Sequence, residues 1–74
     1  MRTFNPTVND ILDKYFNFGL CTITLKNEKI IIGNFTHLPI RPKGKITHWQ
    51  FIPFKEQPLI KILHGQIAII ERPD

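Results

Sequence analysis

Three cations, Arg41, Lys43 and Lys45, stand at alternate positions in the stretch Pro39-Ile40-Arg41-Pro42-Lys43-Gly44-Lys45. Prolines stiffen such a loop, and neutralising phosphates requires charges held out from the scaffold. The same lysines can also do no more than keep a hairpin tip hydrated. Further on, Trp49 and Phe51 share one strand face. Rings so placed either stack on bases, each of which presents a π-face, or fill a core. His48 and Gln50 point the opposite way and carry donors and acceptors able to read a base edge. His64 precedes Gly65 in a short turn, where its ring can bond a phosphate, a base or nearby backbone.

Other reactive side chains form no recognisable constellation. Cys21 lies in an alternating segment and reads as a small buried hydrophobe. His37, His48 and His64 are eleven and sixteen positions apart, which fits no zinc signature. Asp10 and Asp13 share a helix face turned from the apolar stripe. Neither a glycine-rich phosphate loop nor a nucleophile elbow is present. The expectation is a non-enzymatic chain without metal or cofactor.

The elements that must hold these residues come from a chain of 74 residues, enough for one domain. So small a core usually needs a disulfide, a metal or a partner subunit. With a single cysteine and 42% apolar residues, self-association is the most plausible staple. A net charge of +4 and a pI near 9.6 lean towards polyanionic partners. No apolar run has the length of a membrane span, and Met1-Arg2-Thr3-Phe4-Asn5-Pro6 lacks a signal peptide's apolar stretch. A cytoplasmic location is the expectation.

Asn5-Pro6 reads as a helix start, with Asn5 as N-cap and Pro6 at the first helical position. Val8, Ile11, Leu12, Tyr15 and Phe16 then make one apolar stripe, and Gly19 is a natural terminator. This predicts a helix over about 6–18. Cys21, Ile23 and Leu25 alternate with Thr22 and Thr24 in a first strand, and Lys26-Asn27-Glu28-Lys29 reads as a tight turn. Gly33, inside the second strand, signals a bend or a close backbone approach. Pro39 to Gly44 is a loop, Pro53 ends the third strand or sits at an edge, and Lys55-Glu56-Gln57-Pro58 is another loop. The predicted strands cover about 20–26, 29–37, 45–52, 58–63 and 66–71. One helix followed by five short antiparallel strands is the outline of a mainly β small barrel.

The last two strands are unusually apolar. Leu59, Ile60, Ile62 and Leu63 are interrupted only by Lys61, and Ile67, Ala68, Ile69 and Ile70 are continuous. A strand with one face in water should alternate. Either the leading helix covers these segments or a neighbouring subunit does.

This layout resembles the Sm/Lsm-like superfamily, including the bacterial Hfq-type RNA chaperone, over nearly the whole length. Ile23-Thr24-Leu25-Lys26-Asn27-Glu28-Lys29 followed by Gly33 is similar to the first Sm motif, and Leu63-His64-Gly65-Gln66-Ile67 to the second. The closing Glu71-Arg72-Pro73 also looks like the tail after the Hfq barrel. The chain departs from the family at Glu28, where a turn glycine is usual, and at His64, where Arg or Lys is usual. The longer Leu38–Lys45 stretch replaces a short Asp-containing turn and the Asn or Gln after it.

The resemblance implies a five-stranded Sm-like (SH3-like) barrel. It also implies a ring of six or seven subunits in which the fourth strand of one pairs with the fifth of the next, and single-stranded RNA passing loops near a central pore. Arg41, Lys43, Lys45, His48, Trp49, Gln50 and His64 are the candidate RNA contacts. Self-association is expected through Leu59–Leu63 and Gln66–Ile70. The alternative is a small SH3-like protein-interaction module that binds no nucleic acid.

Overall fold

The computed structural model describes residues 1–35, 37–55 and 58–73. Its elements in chain order are β1 (Arg2–Phe4), α1 (Val8–Lys14), β2 (Cys21–Leu25), β3 (Ile30–Asn34), β4 (His48–Pro53), β5 (Ile60–Leu63) and β6 (Ile67–Glu71). Short 3-10 turns lie at Pro42–Gly44 and His64–Gln66. The fold is mainly β: a six-stranded sheet in the order β1-β6-β2-β3-β4-β5, with every pairing antiparallel. The strands expected as first to fifth are β2 to β6. The strand before the helix was not expected.

That extra strand corrects the reading of the helix start. Asn5 is not the N-cap; its φ of 46° turns the chain out of β1. Thr7 is the cap, because its Oγ1 accepts from the Asp10 amide at 3.1 Å while its own amide donates to Asp10 Oδ2 at 2.9 Å. Such reciprocal bonding satisfies two helix-end donors together. These bonds hold the Asp10 carboxyl below its ordinary pKa, with Lys14 adding to the effect. Pro6 is therefore outside the helix and buried. The helix also stops at Lys14 rather than near 18, since Tyr15 leaves helical geometry at a φ of −125° and Asn17 then turns left-handed with a φ of 61°.

Its apolar stripe nonetheless does what the spacing predicts. Ile11 and Tyr15 are fully buried against Cys21, Ile23, Phe35, Trp49, Phe51, Ile62, Ile67 and Ile70. The Tyr15 hydroxyl donates to the Ile70 carbonyl at 3.3 Å and lies 2.7 Å from Thr3 Oγ1, so this large ring enters the core with its polar end satisfied. Phe35 packs edge-on against both Trp49 and Phe51, with centroid separations of 5.6 and 4.9 Å.

Strand ends differ from expectation mainly around prolines and turns. Lys45 does not open β4; its amide bonds back to Pro42 and the ladder begins at His48. Pro53 is the last residue of β4, opposite Gly33, so the proline ends that strand as expected. The fifth predicted strand begins at Ile67 because His64–Gln66 is a 3-10 turn. Of the expected 55–58 loop, Glu56 and Gln57 lie outside the described residues.

Gly33 is the close approach that its position in a strand suggests. A Cβ there would collide with the Ile52 carbonyl oxygen and lie 2.8 Å from both the Phe51 ring and Pro53 Cα. Two of those three atoms are backbone and cannot swing away. Gly33→Ala is expected to destabilise the fold by at least about 2 kcal/mol in urea titration, in line with overpacking. Glu28, by contrast, holds a φ of 72° on an exposed hairpin. A left-handed backbone costs a side-chain-bearing residue about 1–2 kcal/mol, part of which glycine recovers. Glu28→Gly should raise stability by about 0.5–1 kcal/mol in the same assay.

Candidate nucleic-acid interface

The cationic loop is closed at its base by paired backbone. Ile40 bridges His48, with the Ile40 amide donating to the His48 carbonyl at 2.9 Å and the Thr47 amide donating to Ile40 at 3.0 Å. Gln50 reinforces the base, its Nε2 donating to the Leu38 carbonyl at 2.6 Å. Within the loop, the Gly44 and Lys45 amides return to Arg41 and Pro42, and Lys43 and Gly44 take left-handed φ values of 56° and 80°. This tight turn leaves Arg41, Lys43 and Lys45 all exposed.

The second loop docks onto the first. The His64 amide donates to the Thr47 carbonyl at 3.0 Å, and the Lys26 amide donates to the Gln66 carbonyl at 2.8 Å. The His64–Gln66 turn is therefore bonded both to Thr47, at the foot of the cationic loop, and to Lys26, at the end of β2. Lys26 joins this surface although its sequence position gave no sign of it. Its proximity follows from the non-local pairing of Leu25 with Ile67, which no local pattern encodes.

His64 connects the surface to the core. Trp49 Nε1 donates to His64 Nδ1 at 2.9 Å, and an indole N–H can only donate. Nδ1 therefore carries a lone pair, and the neutral ring's proton is on Nε2, which is left to donate elsewhere. Partial burial and then the Lys26 charge push the His64 pKa below its ordinary value. His48 stands opposite Leu63, the residue before His64, and its Nδ1 lies 2.9 Å from Thr47 Oγ1.

Trp49 and Phe51 are completely buried and offer no face to a base. Their spacing of two on β4 is that of core aromatics, and the stacking reading of Trp49 gives way to that of an anchor for His64. Of the sequence candidates, Arg41, Lys43, Lys45, His48 and His64 lie on the joined loops or at their base. Gln50 supports that base through its bond to Leu38.

A cleft of ≈ 530 Å³ lies beside β5. Leu25, Ile31 and Ile62 supply apolar lining, and Lys29, Lys61 and His48 supply polar lining. Among the described residues β5 has a strand on one side only, which leaves its other edge open. β6 is different: β2 occupies one side and β1 the other, the latter pairing Ile69, Ile70 and Glu71.

Cys21 is buried, and that burial pushes its thiol up to about 12, so it is protonated at neutral pH. Among the described residues no group of three or more His, Cys, Asp or Glu is placed to hold a metal ion. Likewise, no helix among them is long and apolar enough to cross a membrane.

No family model matches the chain, and no curated protein or solved structure matches it either.

The partly buried His64 ring gives the fold a pH signature. Because the folded state depresses the His64 pKa, the unfolded chain binds its proton first as pH falls. Stability is then unaffected well above the unfolded value of about 6.5 and declines as pH drops through it towards the folded value. Urea midpoints measured from pH 8 to 5 should show this decline in the wild type. In His64→Ala the decline over that window should be smaller.

Proposed function

We propose that this chain binds single-stranded RNA without catalysis, as a self-associating small barrel of the Sm-like kind. The observation that carries the reading is that the loop bearing exposed Arg41, Lys43 and Lys45 is joined at its foot, through Thr47, to the His64–Gln66 turn, which in turn bonds Lys26. Exposed cations on a stiffened loop suit a phosphate backbone, and a neutral imidazole with a free Nε2–H suits a base or phosphate oxygen. With Trp49 and Phe51 buried, any stacking falls to planar guanidinium or imidazole groups such as those of Arg41 and His48.

The strand order supports the Sm-like part of the reading. Head-to-tail pairing of the fourth barrel strand with the fifth of a neighbour needs those strands at opposite edges of the sheet. Apart from β1, the order β6-β2-β3-β4-β5 has them there. Heterologous contacts of that type close into rings when the rotation per subunit allows.

One observation favours the alternative, a protein-interaction module. The register aligns Phe4, Ile69, Thr24 and Ile30 in a row across four strands, with Ile32 nearby. Phe4, Ile30 and Ile32 are exposed by 62%, 64% and 50%, and contiguous apolar surface marks contact sites.

Fluorescence anisotropy with short A- or U-rich RNA separates the two. RNA binding should weaken steeply with salt. Replacing Arg41, Lys43 and Lys45 together with Ala should flatten the logarithmic salt slope by about two, at ~0.7 per phosphate neutralised on a single strand. No binding at low salt rejects the RNA reading in favour of the protein partner, and an unchanged slope rejects the three contacts.

A further inference from the structure

We propose that β1 is a detachable cover that holds the β6 edge against the β5 strand of a second copy, so that assembly proceeds by strand exchange. This rests on the self-association in the function proposed above and adds its regulation.

β1 and β5 carry the same pattern. β1 is Arg2-Thr3-Phe4, and β5 ends Lys61-Ile62-Leu63: a cation, an inward residue, then a large exposed apolar residue. In β1 these face Glu71, Ile70 and Ile69 respectively. Arg2 meets the Glu71 carboxylate at 2.8 Å, while Thr3 points inward to Tyr15 and Phe4 stays exposed. An antiparallel β5 in the same register sets Lys61 against Glu71, Ile62 against Ile70 and Leu63 against Ile69. Inward side chains then meet inward ones and outer meet outer, as the period of two demands. A strand slipped by one residue fails this test. The edge on β6 is thus already read by this chain's own β1, and β5 presents the same letters to another copy.

The competition is close to balanced on what each strand brings. β1 is short, and its Arg2–Glu71 pair is solvent-exposed and so weak. Its ends are held by the Arg72 amide on Met1, the Met1 amine on the Arg72 carbonyl and the Asn5 amide on Ala68. Asn5 meanwhile carries a left-handed backbone. β5 of a second copy offers apolar Ile62 where β1 offers a threonine. The advantage of β1 is connectivity, since a tethered strand acts at millimolar effective concentration. A cover of this kind also protects an apolar edge from indiscriminate pairing.

Analytical ultracentrifugation over a concentration series tests the exchange. Deleting Arg2–Phe4 should lower the apparent dissociation constant for self-association at least tenfold. Lys61→Glu in that background should reverse the gain, and adding Glu71→Lys should restore it by swapping the charges. A deletion variant that keeps its β circular dichroism yet associates no better than the full chain overturns the proposal, as does a failed charge swap. Should the deletion unfold, Arg2→Glu in the full chain decides, because like charges loosen β1 from Glu71: tighter association supports the cover and unchanged association overturns it. RNA anisotropy on the same samples is scored separately. Absence of RNA binding at low salt in the full chain as well as in every variant rejects the RNA reading while the sedimentation data still judge the exchange.

Discussion

At Gly33 the β3 backbone passes so near the Ile52 carbonyl that no side chain fits between them. Much of the molecule follows from that contact. It lets β3 and β4 cross closely at Gly33–Pro53 and Asn34–Ile52, the two positions at which their residues pair among the described residues. Phe35 then turns inward to meet Trp49 and Phe51 edge-on. The rest of β4 is free to pair with β5 over Ile60–Leu63. Buried aromatics on β4 in turn place the Trp49 indole against His64, so the packing of the interior fixes a side chain on the loop surface.

The sequence reading succeeds where a single local rule governs. Alternation in Cys21–Leu25 marks a strand, the stripe through Ile11 and Tyr15 marks a helix packed on the core, and a lone glycine in a strand marks a crossing. It fails where two rules compete. Asn5-Pro6 has the chemistry of a helix start, yet Thr7 with Asp10 forms a better one two residues later, releasing the preceding segment to pair with β6. Arg2-Thr3-Phe4 is too short to show periodicity, so its strand is invisible until Glu71, Ile70 and Ile69 are found opposite.

The candidate site divides in the same way. The Arg41, Lys43 and Lys45 cluster is legible because the prolines, glycine and cations are contiguous. Lys26 is not, since its nearness to Gln66 depends on strands some forty residues apart in sequence pairing in the right register. Trp49 is ambiguous for a physical reason: a base-stacking ring and a core ring occupy a strand with identical spacing, and only burial separates them.

The hydrogen bonds between Met1 and Arg72 bring the two ends of the described chain side by side. A covalent link bridging them would need little length, and the molecule could then be opened at an exposed loop elsewhere without altering its pairing. In such a circular permutant β1 would become one arm of a hairpin with β6, anchored at both ends instead of one.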